Sequence, residues 1–242
     1  MATAKMKKFK LIISRTDLAN VLCELMLLGC IEINDSAMLL EDPHMAVLMK
    51  RESSELESCM QDFESLERSL NIIDMYSPDE AADYTQRPVI TLDKLLYETY
   101  PESCLMLAKS LETLDGMMLM LPENEKAELL QQIQASAQRR DEIKLCCDHF
   151  RVRVLMAETV EKLIGTQRTV LMTGWVPAKA ELELMLKMTG YVCAWDFSDP
   201  SPDEYESVPV MQKGSRLLSK FQKESGVPFR PLMLFTKYVD VR

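Results

Sequence analysis

The chain has 242 residues, 47% of them hydrophobic and 27% charged, and carries a formal net charge of −10. That composition excludes wholesale disorder and predicts a packed core. An acidic body opposes nucleic-acid binding, which rests on phosphate neutralisation. No run approaches the roughly 20 consecutive apolar residues of a spanning helix.

The first residues are Lys-rich but lack the apolar core and cleavage pattern of a signal peptide, so a cytoplasmic address is expected. Phe9, Leu11 and Ile13 then alternate with Lys8, Lys10 and Ile12, the period of a strand with one buried face. Thr16 or Asp17 can cap a helix carrying Leu18, Val21, Leu22, Leu25 and Leu28, closed by Gly29. Cys30–Asn34 reads as a second strand. From Met45 to Ile73, Leu56, Cys59, Phe63, Leu66, Leu70 and Ile73 recur at spacings of three and four, which predicts one long amphipathic helix. Ser77–Pro101 is proline-punctuated and reads as a side loop with one short helix at Leu92–Tyr97.

Leu107, Leu111, Leu114, Met118 and Leu121 mark another helix, of about 20 residues from Glu102. After Pro122 the pattern runs from Glu123 to Gly165, with a change of phase near Arg139-Arg140-Asp141. Continuous, this stretch would be about 65 Å long and would need partners along its length. A long helical hairpin or bundle is therefore expected. Arg168–Thr173 is strand-like, Gly174-Trp175-Val176-Pro177 is expected to turn the chain, and Pro177 to lead into a helix through Leu182, Leu184, Met185 and Met188 that stops at Gly190. Tyr191–Phe197 is the strand that follows. The last segment, Met211–Arg242, is basic: Lys213, Arg216, Lys220, Lys223, Arg230, Lys237 and Arg242 face only Glu224 and Asp240. It is either a solvated tail or a segment suited to an anionic membrane surface or an acidic partner.

The expected fold class is α+β. A four-stranded α/β lobe is built from N- and C-terminal strand–helix–strand units, residues 1–40 and 166–210, with the helical hairpin or bundle, 41–165, between them and the basic segment, 211–242, after them.

Residues able to carry chemistry are sparse. With seven glycines there is no GxGxxG or GxxxxGK[ST] phosphate loop. The seven cysteines are scattered without a CxxC pair, as small reduced hydrophobes would be. Cys146-Cys147-Asp148-His149 suggests a metal or Cys–His site, but Cys146 continues the apolar stripe, only two histidines exist in the chain, and no orienting acid is specified. No catalytic, cofactor or metal residue is assigned. The 18 methionines suit either core filling or an adaptable interface.

Thr169-Val-Leu-Met-Thr-Gly-Trp-Val-Pro177, followed by a helix and Gly190-Tyr-Val, resembles the strand–GWVP–helix signature of subunit I, the a subunit, of V-type and archaeal-type rotary ATPases. Met6-Lys-Lys-Phe-Lys-Leu-Ile-Ile13 and the helix ending Leu28-Gly-Cys-Ile-Glu-Ile33 are similar to that family's first strand–helix–strand. The two matches touch about a third of the chain and flank the long helices in the family's order. The resemblance implies a non-catalytic stator element on the cytoplasmic face of the membrane. It would link peripheral stalk subunits E and G to the membrane sector in proton transport, with no cofactor. Within the signature, Gly174 permits close approach or an unusual turn, Trp175 is a large anchor, and Pro177 can start a helix. Two departures are visible. Only Pro122-Glu123-Asn124 separates the helices where the family has a second lobe, and the family's proton-translocating arginine belongs to a membrane domain with no counterpart here. Two strand–helix–strand units also build small-molecule regulatory modules of the ACT type, the alternative reading.

Overall fold

A computed structural model describes residues 4–77, 90–98, 100, 102–205 and 207–209, so the basic segment 211–242 and the prolines at 78, 88 and 101 lie outside the described residues. The described chain falls into two compact units, residues 4–54 with 158–209, and residues 55–157.

The first unit is an antiparallel sheet. Strand β1, Met6–Ser14, alternates buried Phe9, Leu11 and Ile13 with exposed Lys10 and Ile12, and it lies between two later strands. It pairs along all its length with β5, Thr169–Pro177, from Met6 opposite Pro177 to Ser14 opposite Thr169. On its other side it pairs with β6, Cys193–Ser198. Strand β2, Glu32–Ile33, pairs with the other edge of β5 at Trp175 and Gly174. Helix α1, Leu18–Leu28, joins β1 to β2, and α8, Glu181–Met188, joins β5 to β6. In each strand–helix–strand segment the two strands run parallel, with one strand of the other segment between them. This is the interlocked split β-α-β arrangement of a ferredoxin-like sheet.

Gly29 ends α1 in the left-handed region, φ 59°, donating its N–H to Leu25 O, the conformation that glycine adopts without a Cβ penalty. Helices α1 and α8 share the sheet face of Phe9, Leu11 and Ile13: Lys7, on that face, pairs with Glu181 at 2.6 Å, and Lys187 bridges to Glu24 at 2.6 Å. Strand β5 is buried on both faces from Val170 to Pro177, and so reads as a continuous apolar run rather than an alternating one.

All four expected strands are present, and two more accompany them. Strand β3, Lys50–Arg51, pairs with β4, Ile164–Gly165, and β4 pairs with β5. The expected helix from Met45 to Ile73 is consequently three elements: α2, Pro43–Leu48, then β3, then α3, Leu56–Tyr76. The reason is the ion pair holding β3 in place. Glu52, its side chain 6% exposed, receives Arg15 Nη1 at 2.5 Å and Nη2 at 2.7 Å, and Arg15 also donates to Thr166 O. Residues 41–54 thereby join the sheet unit rather than the helical one.

The second unit contains α3, α4 at Leu92–Tyr97, α5 at Glu102–Met120, α6 at Ala127–Ser136 and most of α7, Arg140–Val160. The expected rod from Glu123 to Gly165 is interrupted by 3-10 turns at Glu123–Glu125 and Ala137–Arg139 and ends at Val160. The second break coincides with the change of phase. Leu66, Ile73, Leu111, Ile133, Ile143 and Phe150 form its core. In α7, Ile143, Lys144, Cys146, Cys147 and Asp148 are all buried, so this helix is enclosed on most sides where a narrow stripe was expected.

Candidate functional site

Gly174-Trp175-Val176-Pro177 is strand, the last four residues of β5, and not the turn that its Gly and Pro suggest. The chain turns afterwards, through Ala178–Ala180, where Ala178 N–H donates to Lys5 O at 2.8 Å. Gly174 has no positive φ; its purpose is room. A Cβ there would stand 2.1 Å from Glu32 O and 2.7 Å from Phe9 Cε1, because β2 and the Phe9 ring both close over it. Trp175 is 3% exposed and Val176 fully buried, so the signature builds the lobe's interior. Pro177 lacks an N–H and sits at the strand's last position, where a missing ladder donor is tolerated.

Opposite the two helices, the second sheet face is partly open. Its cross-strand rows are Leu171, Ile12 and Ala194; Thr173, Lys10 and Asp196; and Trp175, Lys8 and Ser198. Residues 199–205 cover one end: Glu204 accepts from Lys8 Nζ and from Ser201, and Lys8 above all holds its carboxyl well down, at about 2. The 3-10 turn Ser36–Glu41 covers the β5 side, held where Ser36 Oγ meets Thr173 Oγ1 at 3.1 Å and Ser36 N–H donates to Lys162 O at 2.8 Å. Between these covers runs a groove of about 850 Å³ over Leu171, Thr173 and Trp175, walled by Met38, Leu39 and Met45 and edged by Lys10 and Lys162. Of the four signature residues only Trp175 reaches it. The alternation of Lys8, Lys10 and Ile12 in β1 signalled this face; Met38, Leu39 and Lys162 carried no such signal.

In the helical unit, Cys146 and Cys147 belong to the buried core and His149 is half-buried beside it. His149 Nδ1 donates to Leu95 O at 3.1 Å, and its ring lies 4.8 Å from that of Tyr100. Burial pushes His149 below its ordinary pKa, Tyr100 up to about 12, and the Cys146 thiol far above its usual range. A thiol so disposed is a poor nucleophile. Among the described residues no group of three His, Cys, Asp or Glu side chains is placed to hold a metal ion, and no helix is long and apolar enough to cross a membrane.

No family model matches the chain, and no curated protein matches it.

Proposed function

We propose that this protein is a non-catalytic stator element of a V-type or archaeal-type rotary ATPase, receiving peripheral stalk subunits E and G and linking them to the membrane sector on its cytoplasmic side. The observation that carries the reading is the pairing of β1 with the Gly174-Trp-Val-Pro177 strand, the two segments that resemble subunit I, in one sheet. A helical unit inserted between them is in keeping with transmission of force. The signature's burial assigns it to holding the lobe together, so partner contacts fall to the surface. Titration of the folded chain with the E/G heterodimer, followed by calorimetry, is expected to give a saturable complex. A folded protein that leaves the heterodimer unbound removes this reading.

The groove over Trp175 favours one second reading, a small-molecule regulatory module of ACT-like type. Its volume falls within the roughly 300–1,000 Å³ of ligand pockets. Thermal unfolding across a metabolite panel separates the two, since a ligand of the native state raises the midpoint by mass action.

A further inference from the structure

We propose that the outer edge of β6, with the flank of α8 above it, is the surface through which two copies of this chain pair about a two-fold axis. Among the described residues β6 ends the sheet, and no strand lies beyond it. Ser14 N–H donates to Val192 O at 3.0 Å, which fixes the alternation of the ladder: Ala194, Asp196 and Ser198 turn their backbone groups toward β1, and Cys193, Trp195 and Phe197 turn theirs outward. An open edge of this kind is usually blunted by proline, lysine or a bulge. Strand β6, Cys-Ala-Trp-Asp-Phe-Ser, holds no proline or lysine and pairs with β1 in unbroken register. Apolar surface continues from the strand onto the helix. Helix α1 crosses β5 and α8 crosses β1, so α8 has α1 on one side and β6 on the other. Lys187 reaches Glu24 of α1, while Leu184 and Met188 are buried under α8. The helical repeat then puts Leu182, 66% exposed, and Leu186, 63% exposed, on the flank toward β6. Val192, just before the strand, is 77% exposed, and Trp195 and Phe197 are only half-buried.

Register and charge identify the occupant as a second copy. Two β6 strands meeting antiparallel keep their helix-covered faces on one side only if each residue faces one of like parity, since a slip by one residue exchanges the faces. Two such registers pair the strand along its length. The one centred on Asp196 would set two carboxylates directly opposite each other, which is unfavourable. The one centred on Trp195 sets Asp196 opposite Ala194 of the second copy, Phe197 opposite Cys193, and Trp195 opposite its own counterpart. In that register the outward N–H and C=O groups of Cys193, Trp195 and Phe197 all find partners, and the leucine flanks of the two α8 helices approach across the same axis. One surface thus supplies both halves of the contact. The inference rests on neither functional reading.

Sedimentation equilibrium of the full 242-residue chain across the micromolar range is expected to show a monomer–dimer equilibrium. Ala194 is exposed, and its substitutions report the register. Ala194→Asp faces Asp196 of the second copy and should weaken the dimer about tenfold, while Ala194→Lys faces the same carboxylate and should tighten it. Leu182→Lys/Leu186→Lys should also weaken the dimer, and Met38→Asp, exposed elsewhere on the sheet unit, should leave it unchanged. These are surface substitutions, and near-ultraviolet circular dichroism checks that each variant is folded. A chain that stays monomeric at every concentration overturns the proposal, whether the edge is bare or covered by residues 211–242 or by another protein. So does a dimer that responds alike to the two Ala194 substitutions.

Discussion

Gly174 and Gly116 are both glycines inside regular elements, and their surroundings predict opposite outcomes for the same substitution. At Gly174 a methyl group meets the Glu32 carbonyl at 2.1 Å, a backbone atom that cannot step aside without unpairing β2. Gly174→Ala is expected to destabilise the protein by about 3 kcal/mol, an overpacking cost at the high end for a single methyl. At Gly116, exposed in α5, a Cβ meets nothing within 4 Å, and Gly116→Ala should stabilise by up to about 1 kcal/mol through helix propensity. Urea midpoints of the two variants against the parent check both signs. The sequence left close approach and an unusual turn open at Gly174, and the structure shows close approach within a strand. Gly and Pro three residues apart usually punctuate a turn, and only the covering strand and the ring of Phe9 show why they stand in a strand here.

Single elements in this protein are held by titratable groups, and pH separates them. The carboxyl of Glu204 fixes the turn at Pro202–Glu204 over β1, and its depressed pKa means that the unfolded chain takes up the proton first. Its contribution is therefore complete above the ordinary value of 4.5 and lost as pH falls through about 2. Glu204→Gln is expected to lower stability at neutral pH by about 1 kcal/mol, with the difference from the parent closing as pH falls below 4.5 in paired thermal melts. His149 has the same sign. Burial holds its folded pKa below 6.5, so the unfolded state binds more protons below that value and stability falls as pH drops through it. Urea titrations between about pH 7.5 and 5.5 should show that slope reduced in His149→Gln, whose amide can still donate to Leu95 O. Elements with a clear period were readable from sequence: β1, α1 with its Gly29 stop, α5, β5 and β6. Two-residue strands have no period to detect, and β3 is fixed by an ion pair from Arg15 to Glu52, 37 residues apart. The same reasoning explains the groove. Its floor follows from the alternation in β1 and the strand character of β5, while its walls come from a 3-10 turn and a six-residue helix whose placement depends on that ion pair and on Ser36.

For the whole molecule, the sheet unit is assembled from both sides of an inserted helical unit. Neither part of it has a closed core alone: β1 needs β5 and β6, and β5 needs β1 and β2. Fragments 1–54 and 158–209, produced separately, should each give the poorly dispersed amide spectrum of an unfolded chain, and mixing them should restore a dispersed one. Dispersed spectra from either fragment alone would show that the sheet does not depend on pairing across the insertion. The helical unit is closed by contacts nearer in sequence, and low contact order favours its forming faster.

The place of β1 between two later strands also sets a timetable for biosynthesis. Strand β5 follows β1 by about 155 residues, and at about 5–20 residues per second β1 waits roughly ten to thirty seconds for its first neighbour. During that interval Phe9, Leu11 and Ile13 are an unpaired apolar segment on the nascent chain, while the helices between can already compact. Strand β1 thus waits exposed while later elements form, and a chaperone that holds extended apolar segments would meet this protein there.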